Sequence, residues 1–218
     1  MIAGIIFDCD GVLVDSEETS CRATADLLTK VGFPMTLAEV KTLFLGRSIS
    51  AVYAHYQQAT GRALHASFGD EKEALFAERA RGALKTMPGV LEVVRALHRK
   101  RVPIAVATSG SPGKVAFSLA ETGLAQYFSV VCTSLDVPRG KPFPDLFLHT
   151  AKALGVEVTQ CAVIEDSIPG IEAGVAARML TIGYPSSHNT GALLDAGAMT
   201  VVDHLGALLR IPALAHLA

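Results

Sequence analysis

Two carboxylates stand two residues apart at the end of a short apolar run. The run 2–7 is followed by Asp8, Cys9, Asp10 and Gly11. In an extended chain, residues i and i+2 point to the same side, so Asp8 and Asp10 can face one cavity. Taken alone, the pair is also explained as an acidic turn that caps a strand.

Polar groups follow three further apolar runs in the same way. They are Thr108, Ser109 and Gly110 after the run 102–107, Lys141 beyond the run 128–132, and Glu165 and Asp166 after the run 161–164. Singly, these segments are explained by helix capping or by a surface lysine. Together they bring acids, hydroxyls and one lysine to the edge of a parallel sheet where its strands end, which is where α/β proteins bind ligands.

A group of carboxylates at one edge calls for a cation. Two carboxylates about 4 Å apart repel by about 4 kcal/mol at an effective dielectric constant of about 20. The acids Asp8, Asp10, Glu165 and Asp166 are therefore the candidate metal-binding residues. Oxygen ligands without His or Cys select a hard ion, and we expect Mg²⁺.

The remaining groups suit a phosphoryl group. The candidate phosphate-binding residues beside the acids are Cys9, Thr108, Ser109 and Gly110. A carboxylate in line with a phosphoryl group can attack it and form an aspartyl phosphate, and we assign that role to Asp8. Asp10 is then the general acid and base, and Lys141 offsets the charge that develops on the transferring oxygens.

The elements that must position these residues follow from the alternation of apolar runs and helical patterns. The apolar runs are 2–7, 102–107, 128–132, 161–164, 179–183 and 199–202, and the helical patterns between them are 89–99, 114–122, 144–154 and 171–178. Strand alternating with helix predicts a parallel sheet with helices on both faces. The fold class is therefore α/β, with a Rossmann-like three-layer core.

The interval between the first two apolar runs is different, because it contains only amphipathic helical patterns. These cover residues 18–31, 37–44, 49–59 and 70–84. We interpret them as an all-helical cap domain, residues 15–81, inserted into a core domain of residues 1–14 and 82–218.

Composition excludes several classes of protein. Of 218 residues, 50% are hydrophobic and 18% are charged, which excludes intrinsic disorder. The net charge of −2, without a basic cluster, argues against a nucleic-acid partner. No apolar run approaches the roughly 20 residues of a membrane span, and nothing at the N-terminus is typical of a signal peptide, so we expect a cytoplasmic protein with four reduced cysteines and no membrane partner. The sequence does not determine the oligomeric state, and we expect a monomer.

Four segments resemble the motifs of the haloacid dehalogenase superfamily of phosphatases and phosphomutases. They are residues 7–17, 106–110, 140–142 and 163–167, within a similarity that runs from about residue 2 to about 185. The resemblance implies that the helical insert closes over the substrate. It also implies Mg²⁺ on the carboxylates of Asp8 and Asp166 and on the backbone carbonyl of Asp10, with Glu165 adjacent or linked through water.

Within the superfamily, the motifs are most similar to the β-phosphoglucomutase-like group and its sugar-phosphate phosphatases. The mutases of this group carry a cap histidine where this chain has Ser20, and a cap lysine where it has Leu45. Both departures favour hydrolysis of a small phosphorylated metabolite, a sugar phosphate or a phosphogluconate-like compound, over a phosphomutase. We expect Arg47 and Ser48 of the cap to contact that substrate. The remote alternative is a phospho-accepting signalling module without enzymatic activity.

Overall fold

A computed structural model describes residues 1–186 and 190–217, and its centre is a six-stranded parallel sheet. The strands are β1 (Gly4–Phe7), β2 (Ile104–Thr108), β3 (Val130–Thr133), β4 (Cys161–Glu165), β5 (Leu180–Gly183) and β6 (Thr200–Val201). Their order across the sheet is β3-β2-β1-β4-β5-β6. The strand that carries Asp8 and Asp10 at its end therefore lies in the middle of the sheet.

The strands form because they are apolar on both faces. Every residue of β1, β2 and β4 is buried. Ile5 and Ile164 pack into the apolar layer on one face of the sheet, and Ile6 and Val163 pack into the layer on the other. Burial of such a side chain contributes about 1.5–3 kcal/mol, so two-sided burial holds the central strands firmly. This also accounts for the low proportion of charged residues.

Four helices lie between β1 and the next core helix in the chain. They are α1 (Glu17–Lys30), α2 (Leu37–Phe44), α3 (Ile49–Thr60) and α4 (Phe68–Ala80). They share a separate apolar cluster that includes Leu28, Val40 and Phe68. We call residues 17–80 the cap. The predicted domain limits of 14/15 and 81/82 stay a prediction.

The other helices flank the sheet. They are α5 (Val90–Arg99), α6 (Pro112–Glu121), α7 (Asp145–Leu154), α8 (Ile168–Ala176) and α9 (Thr190–Asp195). In α5 the buried residues are Val90, Val93, Val94 and Leu97, the i, i+3, i+4 and i+7 spacing of a helix packed on one side. The α/β fold predicted from the sequence is confirmed. The short helix α9 falls in a stretch for which the sequence pattern predicted no helix.

The cap rests directly on the core, as two of its contacts illustrate. Phe76 of α4 meets Phe117 of α6 edge to face, with ring centroids 6.1 Å apart. At the other contact, Gly46 in the α2–α3 loop is so close to Ser167 at the start of α8 that a Cβ on Gly46 would lie 2.6 Å from the Ser167 Cβ. The cap is therefore closed over the carboxyl edge of the sheet. Among the described helices, none is long and apolar enough to cross a lipid bilayer.

Candidate active site

The chain positions Asp8 by placing β1 between two partners. Phe7 pairs with Val106 of β2 and with Ile164 of β4, and the Asp8 N–H donates to the Ile164 carbonyl at 3.0 Å. Asp8 thus follows the last paired residue of the central strand, and its side chain is almost fully buried. The ends of β1, β2 and β4 therefore lie together at one edge of the sheet, as the sequence predicts.

Lys141 ties the ends of three strands together. Its Nζ donates to Asp8 Oδ1 at 2.6 Å, to Glu165 Oε1 at 2.5 Å and to the Ala107 carbonyl at 3.0 Å. Burial lowers the pKa of Lys141, but the Asp8 and Glu165 carboxylates outweigh burial and raise that pKa above its ordinary value. Lys141 is therefore a permanently charged group under Asp8.

Glu165 has its two carboxylate oxygens committed to other contacts. Oε1 accepts from Lys141, and Oε2 accepts from the N–H groups of Asp166 and Ser167, both at 3.0 Å, and from the Ser167 hydroxyl at 2.9 Å. A Cβ on Gly170 would lie 1.9 Å from Glu165 Cδ, so only glycine leaves room for this arrangement. In this arrangement Glu165 positions Lys141, and its role as a metal ligand stays a prediction.

Asp10 faces two donors rather than a metal. Its Oδ1 accepts from the Ser16 hydroxyl and from Lys114 Nζ, the latter at 2.6 Å. Burial would raise the pKa of Asp10, but Lys114 outweighs burial and lowers that pKa. The Asp10 carboxylate is therefore held by Lys114 and Ser16 in this arrangement, and its place among the metal-binding residues stays a prediction.

Lys114 was not among the residues singled out from the sequence. It follows Ser111, the N-cap of α6, whose hydroxyl accepts from the Lys114 N–H at 3.2 Å, and Pro112 occupies the first turn. A residue three positions after the cap lies on the first turn, next to the strand end that leads into the helix. That spacing was the signal that could have pointed to Lys114.

Asp166 is the carboxylate that completes a pair with Asp8. It is buried, and its Oδ2 accepts from the Ser186 hydroxyl at 2.5 Å. Burial raises the pKa of Asp8 to about 8 and raises that of Asp166 well above its ordinary value. Gly11 leaves space beside them, because a Cβ there would lie 2.3 Å from Asp166 Oδ2. Burial opposes the ionisation of these two carboxylates, and a divalent cation bound by both would offset that cost.

The expected four-carboxylate cluster is not what the structure contains. Within residues 1–186 and 190–217, no three side chains from His, Cys, Asp and Glu form a group with metal-binding geometry. The physical reason is that Lys114 and Lys141 take Asp10 and Glu165. Asp8 and Asp166 are left as the carboxylates that could hold Mg²⁺.

The predicted phosphate-binding residues divide into two sets. Thr108, Ser109 and Gly110 line the cavity, and Thr108 Oγ1 accepts from the Gly110 N–H at 3.0 Å. The Cys9 side chain instead packs in the apolar core, because it points away from the side that Asp8 and Asp10 share. The placement of Cys9 among the phosphate-binding residues stays a prediction, and it would have to act through its backbone.

A cavity of about 670 Å³ lies between the cap and the core. Asp8 and Asp10 lie in its wall on the core side, and the cap contributes Arg47, Ser48 and Lys72. The volume is that of a site for a small organic molecule. The two cap residues expected to contact substrate therefore face the same space as the acids, and Lys72 is an addition that sequence reasoning missed.

Comparisons with known proteins show the family of this chain. Residues 2–178 match the model of the haloacid dehalogenase-like hydrolases. The chain is 30% identical to the 6-phosphogluconate phosphatase of Escherichia coli over 82% of its own length and 80% of that protein. It is 32% identical to SUPPRESSOR OF QUENCHING 1 of Arabidopsis thaliana over 94% of its own length, but it spans only 20% of that protein.

A solved structure agrees in fold over the full chain. It is a haloacid dehalogenase-like protein of unknown function from Agrobacterium tumefaciens, with 32% identity, coverage of 99% of this chain and 100% of that one, and a TM-score of 0.77. The sequence match and the shared fold lead to one conclusion. This chain belongs to the haloacid dehalogenase-like hydrolases.

Proposed function

We propose that the protein is a Mg²⁺-dependent phosphatase that hydrolyses a small phosphate monoester, a sugar phosphate or a phosphogluconate-like compound, through an aspartyl phosphate on Asp8. The observation that carries the proposal is the Asp8 carboxylate, held through Oδ1 by Lys141 at the wall of the cavity between cap and core. A carboxylate fixed in one orientation next to a permanent cation is prepared to attack an anionic phosphoryl group.

The remaining catalytic and binding roles fall to other residues of this chain. Lys141 holds Asp8 and offsets negative charge near it, and Glu165 holds Lys141. The Thr108 and Ser109 hydroxyls and the Gly110 N–H line the space that the phosphoryl oxygens would occupy. Asp10 would give a proton to the leaving oxygen and later take one from water, and to do so it must leave its ion pair with Lys114.

Mg²⁺ would be held by the carboxylates of Asp8 and Asp166 together with the Asp10 backbone carbonyl that the family resemblance implies. When bound, the ion supplies positive charge that polarises the phosphoryl group. A cation at this place would also favour the ionised forms of Asp8 and Asp166, whose pKa values burial raises.

A sugar phosphomutase that uses the same aspartyl phosphate is the alternative. It needs a cap that assists transfer of the phosphoryl group back to a sugar hydroxyl. Ser20 and Leu45 line the cavity at the positions where the mutases carry histidine and lysine. A hydroxyl and an apolar side chain supply neither a base nor a charge, which supports hydrolysis.

The proposed activity is tested with a panel of sugar phosphates and sugar-acid phosphates. We expect release of inorganic phosphate in the presence of Mg²⁺ and its loss in EDTA, with kcat/KM identifying the best ester. A phosphomutase would instead isomerise a sugar phosphate when a sugar bisphosphate is added, with little free phosphate. Turnover that persists in EDTA would contradict the proposed metal dependence.

Mg²⁺ binding is expected to stabilise the fold, and more so at higher pH. Metal ligands must be ionised, and the pKa of Asp8 is raised to about 8, so protons compete with the ion below that pH. We expect 10 mM Mg²⁺, roughly, to raise Tm more at about pH 8.5 than at about pH 6 in differential scanning fluorimetry. The Asp166→Asn variant is the control and should lose most of the increase. An increase in Tm that is independent of pH would show that these buried carboxylates are not the ligands.

A further inference from the structure

Lys141 lies in a loop whose backbone has few hydrogen-bond donors. The loop covers residues 137–144, directly before α7, and its prolines are Pro138, Pro142 and Pro144. Proline has no N–H group, so the backbone cannot donate at these three positions. A turn around Lys141 is closed by the Phe143 N–H, which donates to the Gly140 carbonyl at 3.0 Å. Side chains must therefore help to hold this loop in place.

Two charged side chains on either side of Lys141 bind each other. Arg139 Nε donates to Asp145 Oδ1 at 3.0 Å, and Arg139 Nη2 donates to Asp145 Oδ2 at 2.9 Å. The Arg139 guanidinium also lies over the Phe143 ring, 4.5 Å from its centroid. Two parallel hydrogen bonds fix the relative orientation of the partners as well as their distance. We call this pair the loop clamp, because it joins a residue of the loop to the first residue of α7.

The loop clamp lies outside the cavity. Pro138 and Gly140 are among the described residues that line the cavity, whereas neither Arg139 nor Asp145 is. An acidic residue in the first turn of a helix interacts favourably with the helix dipole, but this does not explain the arginine bound to Asp145. The Arg139 side chain is 57% exposed, and most ion pairs at such a surface add little stability. Its expected effect is therefore on the position of the loop.

The position of Lys141 has to be precise, because one nitrogen serves three acceptors. Its Nζ lies within 3.0 Å of oxygens of Asp8, Glu165 and Ala107, near the ends of three strands. The Lys141 side chain is almost fully buried, so its path from the loop to these oxygens is set by the place of the loop backbone. Groups of an active site must be held within about 0.5 Å of their productive geometry. A loop that moved relative to α7 would not keep Lys141 within that limit.

We propose that the loop clamp positions Lys141 for catalysis, by holding the loop 137–144 so that the Lys141 ammonium stays on the Asp8 carboxylate. This inference rests on the proposed phosphatase function, in which Lys141 orients Asp8 and offsets negative charge. Arg139 and Asp145 are positioning residues, since they act through Lys141 and contact no reacting atom. Loss of either one should slow the chemical step and leave the binding of substrate in the cavity unchanged.

The test uses Arg139→Gln, Asp145→Asn and the double variant, which remove the charges and keep polar side chains. A misplacement of about 1 Å can cost about 100-fold in rate, and for a loosened loop we expect kcat to fall by about 10-fold. KM for the best ester of the panel should stay within about twofold, and Tm should fall by less than about 4 °C. Because the two residues act as one unit, the double variant should lose no more activity than either single variant.

Two further variants show whether the effect passes through Lys141. Arg22→Gln is the matched control, because Arg22 is also 57% exposed and is paired with Glu18 on α1, and it should behave as wild type. In a Lys141→Met background, Arg139→Gln should change kcat by less than about twofold, since the group that the loop clamp positions is gone. If Lys141→Met does not fold, the comparison of single and double variants decides alone.

The outcomes separate this inference from the proposed function. Single variants with the kcat of wild type, or losses that multiply in the double variant, would overturn the positioning role. So would a loss of activity that lies in KM, a larger fall in Tm, or an equal loss in the Lys141→Met background. In each of these cases the phosphatase activity of the wild-type protein stands. If the wild-type protein hydrolyses no ester of the panel, the proposed function itself fails.

Discussion

The Asp8→Asn variant is expected to lose phosphatase activity by a factor on the order of 10⁴ or more, as nucleophile removal does in other enzymes. The amide has the shape of the carboxylate but cannot form the acyl phosphate. It can still accept from Lys141 through its oxygen, so the fold should be retained. The measurement is release of inorganic phosphate from the best ester, with circular dichroism to confirm folding.

Asp195→Asn is the matched control for this change. Asp195 is exposed at the end of α9, and the same loss of one negative charge there should leave kcat/KM unchanged. Mass spectrometry of acid-quenched reactions adds a direct readout, because wild-type protein should carry a transient phosphate on Asp8. Turnover by Asp8→Asn within about tenfold of wild type would exclude the covalent mechanism.

Replacing Lys141 with Met is expected to cost both stability and activity. Asp8 and Glu165 would remain in the interior without their shared cation, and removal of one partner of a buried ion pair costs about 3–5 kcal/mol. Loss of the charge beside the reacting group should lower kcat by about 10²–10³-fold. Urea unfolding and phosphate release measure the two effects.

A third consequence of Lys141→Met concerns pH. Burial raises the pKa of Asp8, and Lys141 is the largest influence that lowers it. Without Lys141 the Asp8 pKa rises further, so the ionised nucleophile forms only at higher pH and the acidic limb of the pH–rate profile moves upward.

Lys152→Met, on the exposed side of α7, is the control for Lys141→Met and should change the free energy of unfolding by less than about 0.5 kcal/mol. A loss of less than about 1 kcal/mol in Lys141→Met would contradict the view that the two carboxylates depend on this lysine.

The residues at strand ends could be predicted because the strands themselves have a strong signal. Runs such as 161–164 are apolar on both faces, and the residue that follows such a run must lie at the edge of the sheet. This is why Asp8 and Glu165 were identified and why the structure brings both into contact with Lys141. The helical insert was predictable for a similar reason, since its patterns are long and amphipathic.

Contacts between side chains could not be predicted in the same way. Composition indicates that four acids need compensating charge, but it does not say whether a metal or a lysine provides it. In the structure Asp10 pairs with Lys114 and Glu165 pairs with Lys141. The partners lie 104 and 24 positions apart in the sequence. The position of Lys72 is harder still to predict from the sequence, because it depends on how α4 of the cap packs on α6 of the core.

The central position of β1 has a consequence for the order in which the protein can fold. β1 precedes both of its partners in the sheet, which begin at Ile104 and Cys161. During synthesis the apolar segment 4–7 therefore waits until β4 has been made before its second neighbour exists, and such long-range pairing is slow and exposed to aggregation. Chains that end before residue 165 should be targets for chaperones, and Asp8 acquires its surroundings only after β4 has been made.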